Sequence, residues 1–307
     1  MSEPQPKARI SDARTIIFMA ILSFVCALIL SVLAGALKEP KRIAKDLDRS
    51  KQMMIAAQIL SHNGYFIVRD KEGQDVPAKY EAGTLVPDDK REIATRDQLM
   101  NVYKNRLQPY LVDGQGNLKT FAEAKVDEDQ YIAQFHKTGY YKQPLKLIYK
   151  ILPNAAKSGA KEKPKATGYV IPVSGLGLWD AIYGYLAIEP NGDNVIGISW
   201  YDQRETPGLG AGISEAYWQD QFRGKQIFQE SSDGKTDYKI ASLGITVVKG
   251  KVSEVLGSSP KAKSAVDGMS GATLTGNGVT DAYKAVLAPY RPFLLKLIQA
   301  YKEGAPK

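Results

Sequence analysis

The longest uncharged stretch of the chain, Thr15 to Leu37, sets the strongest limit on its architecture. It reads TIIFMAILSFVCALILSVLAGAL, 23 residues without an acidic or basic side chain. As a helix rising 1.5 Å per residue, it would span about 34 Å, enough to cross a hydrocarbon core of about 30 Å. Residues 34–36 (Ala-Gly-Ala) resemble a signal-peptide cleavage site, but signal peptides have apolar regions of only about 7–15 residues. The sequence therefore predicts a retained transmembrane anchor at 15–37 after a short tail at 1–14.

Basic residues flank the anchor on both sides and leave its orientation open. Those before it are Lys7, Arg9 and Arg14, and those after it are Lys38, Lys41, Arg42 and Lys45. An excess of positive charge usually marks the cytoplasmic side, so this pattern does not favour an exported C-terminal part; long domains, however, translocate largely regardless of that charge. No second uncharged run of this length follows. We therefore expect residues 38–307 to form a water-soluble portion.

The composition excludes several classes of function. The formal net charge is +8, but the Lys and Arg residues are mixed with acidic ones, and no nucleic-acid-binding motif accompanies them. We therefore expect no nucleic-acid partner. The single cysteine, Cys26, lies inside the apolar run, so the chain lacks a disulfide framework and a thiolate metal site. His62 and His136 are far apart in sequence, and we predict no metal site.

The part of the chain after the anchor predicts an α+β domain with a mostly antiparallel sheet and flanking helices. We expect a membrane-proximal helix and the N-terminal part of the domain at 38–143, and a second part at 144–307. Apolar runs and helical spacing predict the elements. The strands are Leu145–Leu152, Gly168–Val173, Ala181–Ile188, Val195–Tyr201 and Tyr238–Val248, and the helices are Ile43–Leu60 and Val279–Tyr301, the latter divided at Pro289 and Pro292. Asn191-Gly192 between two apolar runs indicates a β-hairpin, and the Lys-rich residues 154–167 indicate an exposed loop.

Three glycine-rich stretches carry the candidate chemistry. They are residues 174–179 (SGLGLW), 205–210 (ETPGLG) and 267–275 (DGMSGATLT). None completes a dinucleotide-binding fingerprint, and none is followed by the Gly-Lys-Ser/Thr of a P-loop. A serine hydrolase of the nucleophile-elbow type would need a histidine after its nucleophile, and none follows Ser270.

Hydroxyl groups in the third stretch could instead hold a phosphate. Ser270, Thr273 and Thr275 lie within six residues, before a predicted helix whose N-terminus would attract an anion. The small residues between them would let a ligand approach the backbone closely. The candidate aromatic wall for such a ligand is Trp179, Trp200 and Tyr201. From spacing alone, a helix-capping turn beside core aromatic residues is an equally good interpretation.

The third stretch closely resembles the flavinylation motif, Asp-x-x-Ser/Thr-Gly-Ala-Thr/Ser, of proteins that carry covalent FMN. In those proteins a dedicated flavin transferase joins the FMN phosphate to the last threonine through a phosphoester, which implies Thr273 here. The other two stretches are similar to segments of the C subunit of the sodium-translocating NADH:quinone reductase family, and they occur in that family's order. Gly276 departs from the family, which commonly has serine at this position, and the middle region is longer than usual.

The resemblance implies a set of residues around the cofactor and no catalytic residue. Thr273 would be the attachment point, whereas Ser270 and Thr275 would not carry the flavin. The residues that would approach FMN are Ser270, Gly271, Ala272, Leu274, Thr275, Leu178, Trp179, Glu205, Thr206, Gly208 and Leu209.

For function, the resemblance implies an electron-transfer subunit of a membrane complex that oxidises NADH, reduces ubiquinone and pumps sodium ions. Its partners would be the other subunits, a flavin transferase during maturation, and the bacterial inner membrane. The soluble domain would lie on the periplasmic side. One alternative is the G subunit of the related ferredoxin:NAD electron-transport complex, which shares the anchor and the SGAT motif. Another is a non-catalytic membrane-anchored binding module with an unmodified Thr273.

Overall fold

The uncharged run forms one continuous helix, α1 (Asp12–Ala36). The computed structural model describes residues 12–70, 72–154 and 164–304. Within those ranges, α1 is the one helix long and apolar enough to cross a membrane, and none of its apolar segment is buried. The predicted N-terminal apolar helix is therefore confirmed. Residues 1–11 of the predicted tail and residues 155–163 of the predicted loop lie outside the described residues.

The second helix, α2 (Lys38–Ala56), begins and ends earlier than the predicted span Ile43–Leu60. Its C-terminal end buries Met53, Met54 and Ile55. The helix stops there because Gln58 adopts a left-handed backbone with φ 53°, a conformation that commonly ends helices. Residues 1–48 and 49–307 form separate compact units, so this buried end belongs to the second unit.

The second unit has the predicted mixture of short helices and strands. The remaining helices in the described residues are α3 (Arg96–Arg106), α4 (Phe121–Ala124), α5 (Glu128–Phe135), α6 (Ala216–Gln219), α7 (Val252–Val255), α8 (Thr273–Leu287) and α9 (Arg291–Gly304). The strands are β1 (Phe66–Arg69), β2 (Asp75–Glu81), β3 (Thr84–Pro87), β4 (Leu107–Val112), β5 (Leu118–Lys119), β6 (Lys146–Ile151), β7 (Gly168–Leu176), β8 (Ala181–Ile188), β9 (Val195–Asp202), β10 (Thr246–Val247) and β11 (Ala265–Val266).

The largest sheet has six strands in the order β5-β4-β6-β7-β8-β9, and every neighbouring pair is antiparallel. A three-stranded antiparallel sheet of β1, β2 and β3 precedes it in the chain, and β10 pairs with β11 in parallel. The predicted hairpin is present: β8 and β9 pair through a turn in which Gly192 has φ 76°. The α+β class with a mostly antiparallel sheet is therefore confirmed.

Helix α8 packs closely against β7, and two glycines make this possible. A Cβ atom at Gly175 would lie 2.4 Å from the Cβ of Ala282, and one at Gly278 would lie 2.1 Å from the carbonyl oxygen of Leu176. Real Cβ contacts are not this short, so larger residues would push the helix off the sheet. This packing fixes the N-terminus of α8, where Thr273 lies, relative to the end of β7.

Two predicted elements differ from the structure. The predicted strand Tyr238–Val248 is reduced to β10, because the carbonyl groups of Tyr238 and Ala241 accept hydrogen bonds from the Arg291 guanidinium (2.7 and 2.6 Å) and Gly244 has φ 121°. The predicted helix Val279–Tyr301 begins six residues earlier, at Thr273. It is divided near its prolines, as predicted, by a 3₁₀ turn at Ala288–Tyr290.

Candidate functional site

A cavity of about 730 Å³ lies beside the N-terminus of α8. Its walls come from residues within 208–209, 217–221, 247–251 and 267–277. Backbone hydrogen bonds hold the last two segments together, since Gly268 N–H donates to Gly250 (2.8 Å) and Val248 N–H donates to Val266 (3.0 Å). Ligand-binding clefts commonly have volumes of about 300–1,000 Å³, so this one can hold a nucleotide-sized ligand.

Thr273 is the first residue of α8 and lies on the cavity wall with its side chain exposed. The preceding residue, Ala272, has φ −122° and ψ 35° and provides no side-chain cap. The hydrogen bond from Gly276 N–H to the carbonyl of Ala272 is the one that closes the first turn. The N–H groups of Thr273, Leu274 and Thr275 precede that bond and have no partner within the helix. An exposed hydroxyl therefore stands beside backbone donors at a helix N-terminus, an arrangement suited to binding an anion.

The turn before Thr273 depends on its small residues. Gly271 has φ 73°, and a Cβ atom there would lie 2.8 Å from Cδ2 of Leu209. Ala272 is buried, whereas Ser270 is exposed on the cavity wall. L-residues with side chains rarely adopt a left-handed backbone. Glycine at 271 therefore allows the positive φ and also leaves room for the side chain of Leu209.

Glu205 is buried, with 5% of its surface exposed, and connects the three glycine-rich stretches to one another. Its carboxylate accepts hydrogen bonds from the backbone N–H groups of Leu178 and Trp179, both at 3.1 Å, and from the hydroxyl of Thr275. A Cβ atom at Gly177 or Gly210 would lie 2.4 Å from Glu205 Oε1 or Thr275 Oγ1, respectively. Glu205 and Thr275 therefore lie behind the cavity wall and hold its parts together.

The other predicted site residues fall into two groups. Gly208 and Leu209 line the cavity with the 270–273 turn. Leu178, Trp179, Thr206 and Leu274 are exposed and lie outside the cavity wall. The indole N–H of Trp179 donates to the Thr206 hydroxyl at 3.1 Å, which ties two of these four side chains to each other.

Several wall residues were not predicted from the sequence. Lys249 and Lys251 follow β10 and are both exposed on the cavity rim. Asp267, the first residue of the motif, accepts a hydrogen bond from Val252 N–H (2.7 Å) at the start of α7, so its carboxylate holds the lysine-bearing loop in place. The two lysines give this rim a positive charge. Their sequence context carries no signal, because only the fold brings residues 249–251 next to 267–268.

The aromatic residues on the wall also differ from those predicted. Trp200 is buried in the core, where its ring lies 5.5 Å from that of Tyr283, and Tyr201 stacks on Tyr185 at 5.1 Å. Neither lines the cavity. Tyr217 and Trp218 line it instead, and the indole N–H of Trp218 donates to the carbonyl of Asp267 at 2.9 Å. None of the three candidates for an aromatic wall, Trp179, Trp200 and Tyr201, lines this cavity.

Residues 177–288 match the FMN-binding domain family, a flavin-nucleotide-binding class of protein. The matched residues include the end of the first glycine-rich stretch, from Gly177, the whole of the other two stretches, and α8. The chain is 39% identical over 306 residues to the C subunit of the Na⁺-translocating NADH-quinone reductase of Chlamydia caviae, covering 96% of both chains. It is 40% identical to the corresponding protein of Chlamydia muridarum, covering 91% of this chain and 90% of that one. The chain belongs to the family of C subunits of the Na⁺-translocating NADH-quinone reductase.

A solved structure agrees with the fold. The crystal structure of the C subunit of the Na⁺-translocating NADH-quinone reductase from Parabacteroides distasonis covers 84% of this chain and 96% of its own, with a TM-score of 0.53 and 20% identity. At that identity the likeness concerns the fold alone. Membership of the C-subunit family also decides between the two related subunits that the sequence motif left open.

Proposed function

We propose that this chain carries FMN joined through its phosphate to the hydroxyl oxygen of Thr273. The observation that carries the proposal is the position of Thr273, exposed at the uncapped N-terminus of a 15-residue helix and on the wall of a cavity of about 730 Å³. A hydroxyl in that position is accessible to an external flavin transferase. Its product, a phosphodiester, would lie next to backbone N–H groups that have no partner within the helix.

The charges around Thr273 suit a phosphodiester, which keeps one negative charge. The N-terminal end of α8 stabilises a partly exposed anion by about 0.3–1 kcal/mol. Lys249 and Lys251 add positive charge on the cavity rim. The carboxylate in the motif, Asp267, is engaged by Val252 N–H. Helix, lysines and cavity therefore fit the cofactor that the FMN-binding domain family is described as binding.

Burial distinguishes Thr273 from Thr275. Thr275 is 1% exposed and donates its hydroxyl hydrogen to Glu205, so a transferase would have to unfold the first turn of α8 to reach it. Ser270 is exposed but lies before the left-handed Gly271, outside the helix. The motif resemblance and the helix terminus both favour Thr273 as the acceptor.

Bound FMN would accept and donate electrons in this cavity. The chain's own residues would attach its phosphate, shape the cavity and present an exposed apolar surface of Leu178, Trp179 and Leu274 beside the site. We propose that the chain relays electrons within a complex whose other subunits oxidise NADH, reduce ubiquinone and move sodium ions. We further propose that α1 anchors it in the bacterial inner membrane with the soluble domain on the periplasmic side.

The decisive experiment is the intact mass and visible absorbance of the wild-type chain, expressed with its own flavin transferase and purified with its membrane partners. The expected result is a mass increase of one FMN joined with loss of water, and flavin absorbance that survives denaturation. A chain of unmodified mass without visible absorbance would instead support a membrane-anchored binding module and contradict the proposal.

A further inference from the structure

A second cavity, of about 460 Å³, shares no wall residue with the cavity at Thr273. It is built from the end of α2, from β1, from the end of β6 and from the turn between β8 and β9. Its apolar walls include Ile59, Ile67, Val68, Ile151 and Ile196. A cavity with such walls favours a ligand that has an apolar body.

Arg106, the last residue of α3, brings a positive charge to this cavity. Its Nε–H donates to the carbonyl of Leu152 at 2.6 Å. In the part of the chain that the structure describes, no further hydrogen bond or ion pair engages the two terminal nitrogens of this guanidinium. Burial lowers the pKa of Arg106 to about 10, which still leaves the group charged at neutral pH. Arg106 is half-buried; a partly desolvated charge without a counter-ion is costly, and an anion in the cavity would reduce that cost.

The carboxylate, amide and threonine side chains of this cavity are already engaged. Asp75 pairs with Arg69 (3.3 Å) and with Arg223. Glu189 accepts hydrogen bonds from the side chains of Asn191 (3.3 Å) and Asn194 (3.4 Å). The side-chain amide of Asn154 exchanges two hydrogen bonds with the backbone of Leu85, and the Thr167 hydroxyl donates to the carbonyl of Ile151. Arg69, the other arginine of the wall, is paired with Asp75, whereas Arg106 has no carboxylate partner among the residues that the structure describes.

We propose that this cavity binds an amphipathic oxyanion, a carboxylate or phosphate monoester on an apolar body, whose head is held by the terminal nitrogens of Arg106. A guanidinium presents two parallel N–H donors that match the oxygens of such a head. The volume exceeds what an inorganic phosphate would fill, and the isoleucine-rich walls would cover the apolar body. Because the walls come from segments between residues 57 and 301, a bound ligand joins distant parts of the second unit and stabilises the fold.

Three water-soluble probes separate the contributions of head and body. Hexyl phosphate carries both, inorganic phosphate carries only the head, and hexanol carries only the body. Binding is measured by isothermal titration calorimetry on the full chain in lipid nanodiscs, with empty nanodiscs as the blank. Hexyl phosphate should bind at least about tenfold more tightly than either partial probe, since each part contributes favourable free energy. Competition by lysophosphatidic acid would point to a lipid source, and competition by short soluble phosphate esters alone would point to a soluble one.

Arg106→Gln should weaken binding of hexyl phosphate by about tenfold or more, because a charged hydrogen bond contributes about 1.5–3 kcal/mol. Arg96→Gln is the matched control: it removes the same charge from an exposed position of the same helix, and binding should not change. Protection of Arg106 from phenylglyoxal by hexyl phosphate, followed by peptide mass mapping, tests the wild type without relying on a variant. Equal binding of hexanol and hexyl phosphate, or modification of Arg106 unaffected by the ligand, would overturn the proposal.

Discussion

The hydroxyl of Thr275 donates a hydrogen bond to the buried carboxylate of Glu205, which joins the first turn of α8 to the loop that follows β9. The same carboxylate accepts hydrogen bonds from the backbone N–H groups of Leu178 and Trp179. Three segments that the chain separates are thereby held in one arrangement behind Thr273. The position of the proposed attachment hydroxyl thus depends on a residue that does not line the cavity itself.

Thr273→Ala should abolish covalent flavin and leave the fold intact, because the side chain is exposed at a helix terminus. Thr273→Ser, Ser270→Ala and Thr275→Ala should all keep the flavin, since the first retains a hydroxyl at the acceptor position and the others leave Thr273 unchanged. The measurement is flavin fluorescence of the denatured chain on a gel, with peptide mass mapping of the flavin. A fluorescent band in Thr273→Ala, or flavin mapped to Ser270 or Thr275, would contradict the assignment.

Glu205→Ala should lower the free energy of unfolding by about 1–3 kcal/mol, because partly buried donors lose their acceptor. The control is Glu215→Ala, which removes an exposed carboxylate and should change stability by no more than about 0.5 kcal/mol. Urea unfolding followed by circular dichroism measures both. A similar decrease in the free energy of unfolding of the two variants would show that the hydrogen bonds to Glu205 do not stabilise the fold.

Gly208→Val should lower flavin content, because valine disfavours the left-handed backbone that residue 208 adopts. Gly208 has φ 76°, and a Cβ atom there would meet nothing within 4 Å in the protein. A steric clash within the protein is therefore not the cause. Gly208→Asn is the comparison, because asparagine tolerates a left-handed backbone better than valine does. Retained flavin in Gly208→Asn and reduced flavin in Gly208→Val, measured by absorbance per chain, is the expected result. Equal losses would point instead to side-chain bulk in the cavity.

Asp113 should make stability depend on pH in the acid range. The backbone N–H of Asn117 is the main cause that lowers the pKa of Asp113 to about 2 from its ordinary 3.8, and Gln115 and Lys119 act in the same direction. A lowered pKa in the folded state stabilises the fold above the ordinary pKa, and the effect is lost as the pH falls from about 4 to about 2. Asp113→Asn should therefore reduce stability at pH 7 and flatten the loss between pH values of about 4 and 2.

The control for this pH dependence is Asp89→Asn, at an exposed position. Free energies of unfolding in urea at several pH values measure the three chains. If Asp113→Asn keeps the wild-type slope in the acid range, the hydrogen bonds at Asp113 do not contribute to it.

The long apolar segment of α1 predicts that the mature chain stays in membranes after an alkaline wash. Its apolar side chains are exposed along the helix, and lipid would cover them. Deleting residues 1–37 should give a water-soluble, folded chain, because the core lies within 49–307. Its circular dichroism spectrum should differ from that of the full chain only by the signal of the deleted helix. A mature N-terminus near Leu37, found by intact mass, would instead indicate a cleaved signal peptide.

The sequence by itself determined the features that depend on neighbouring residues. The uncharged run predicted α1, and Asn191-Gly192 predicted the β8–β9 hairpin, because periodicity and turn chemistry act over a few residues. The flavin class was implied by the resemblance of residues 267–273 to a known motif, because their spacing alone fits a helix-capping turn equally well. The α+β class followed from the alternation of such elements along the chain.

Only the tertiary structure decided how distant segments meet. Tyr238–Val248 reads as a strand, yet Arg291 binds its carbonyl groups and limits the strand to β10. Trp218 rather than Trp200 lines the cavity, and Lys249 reaches its rim only because the loop after β10 docks on the motif. The helix terminus at Thr273 is fixed by packing of α8 against β7 and by Thr275 bonding to Glu205. Contacts between residues tens of positions apart depend on chain folding as a whole, and no local pattern encodes them.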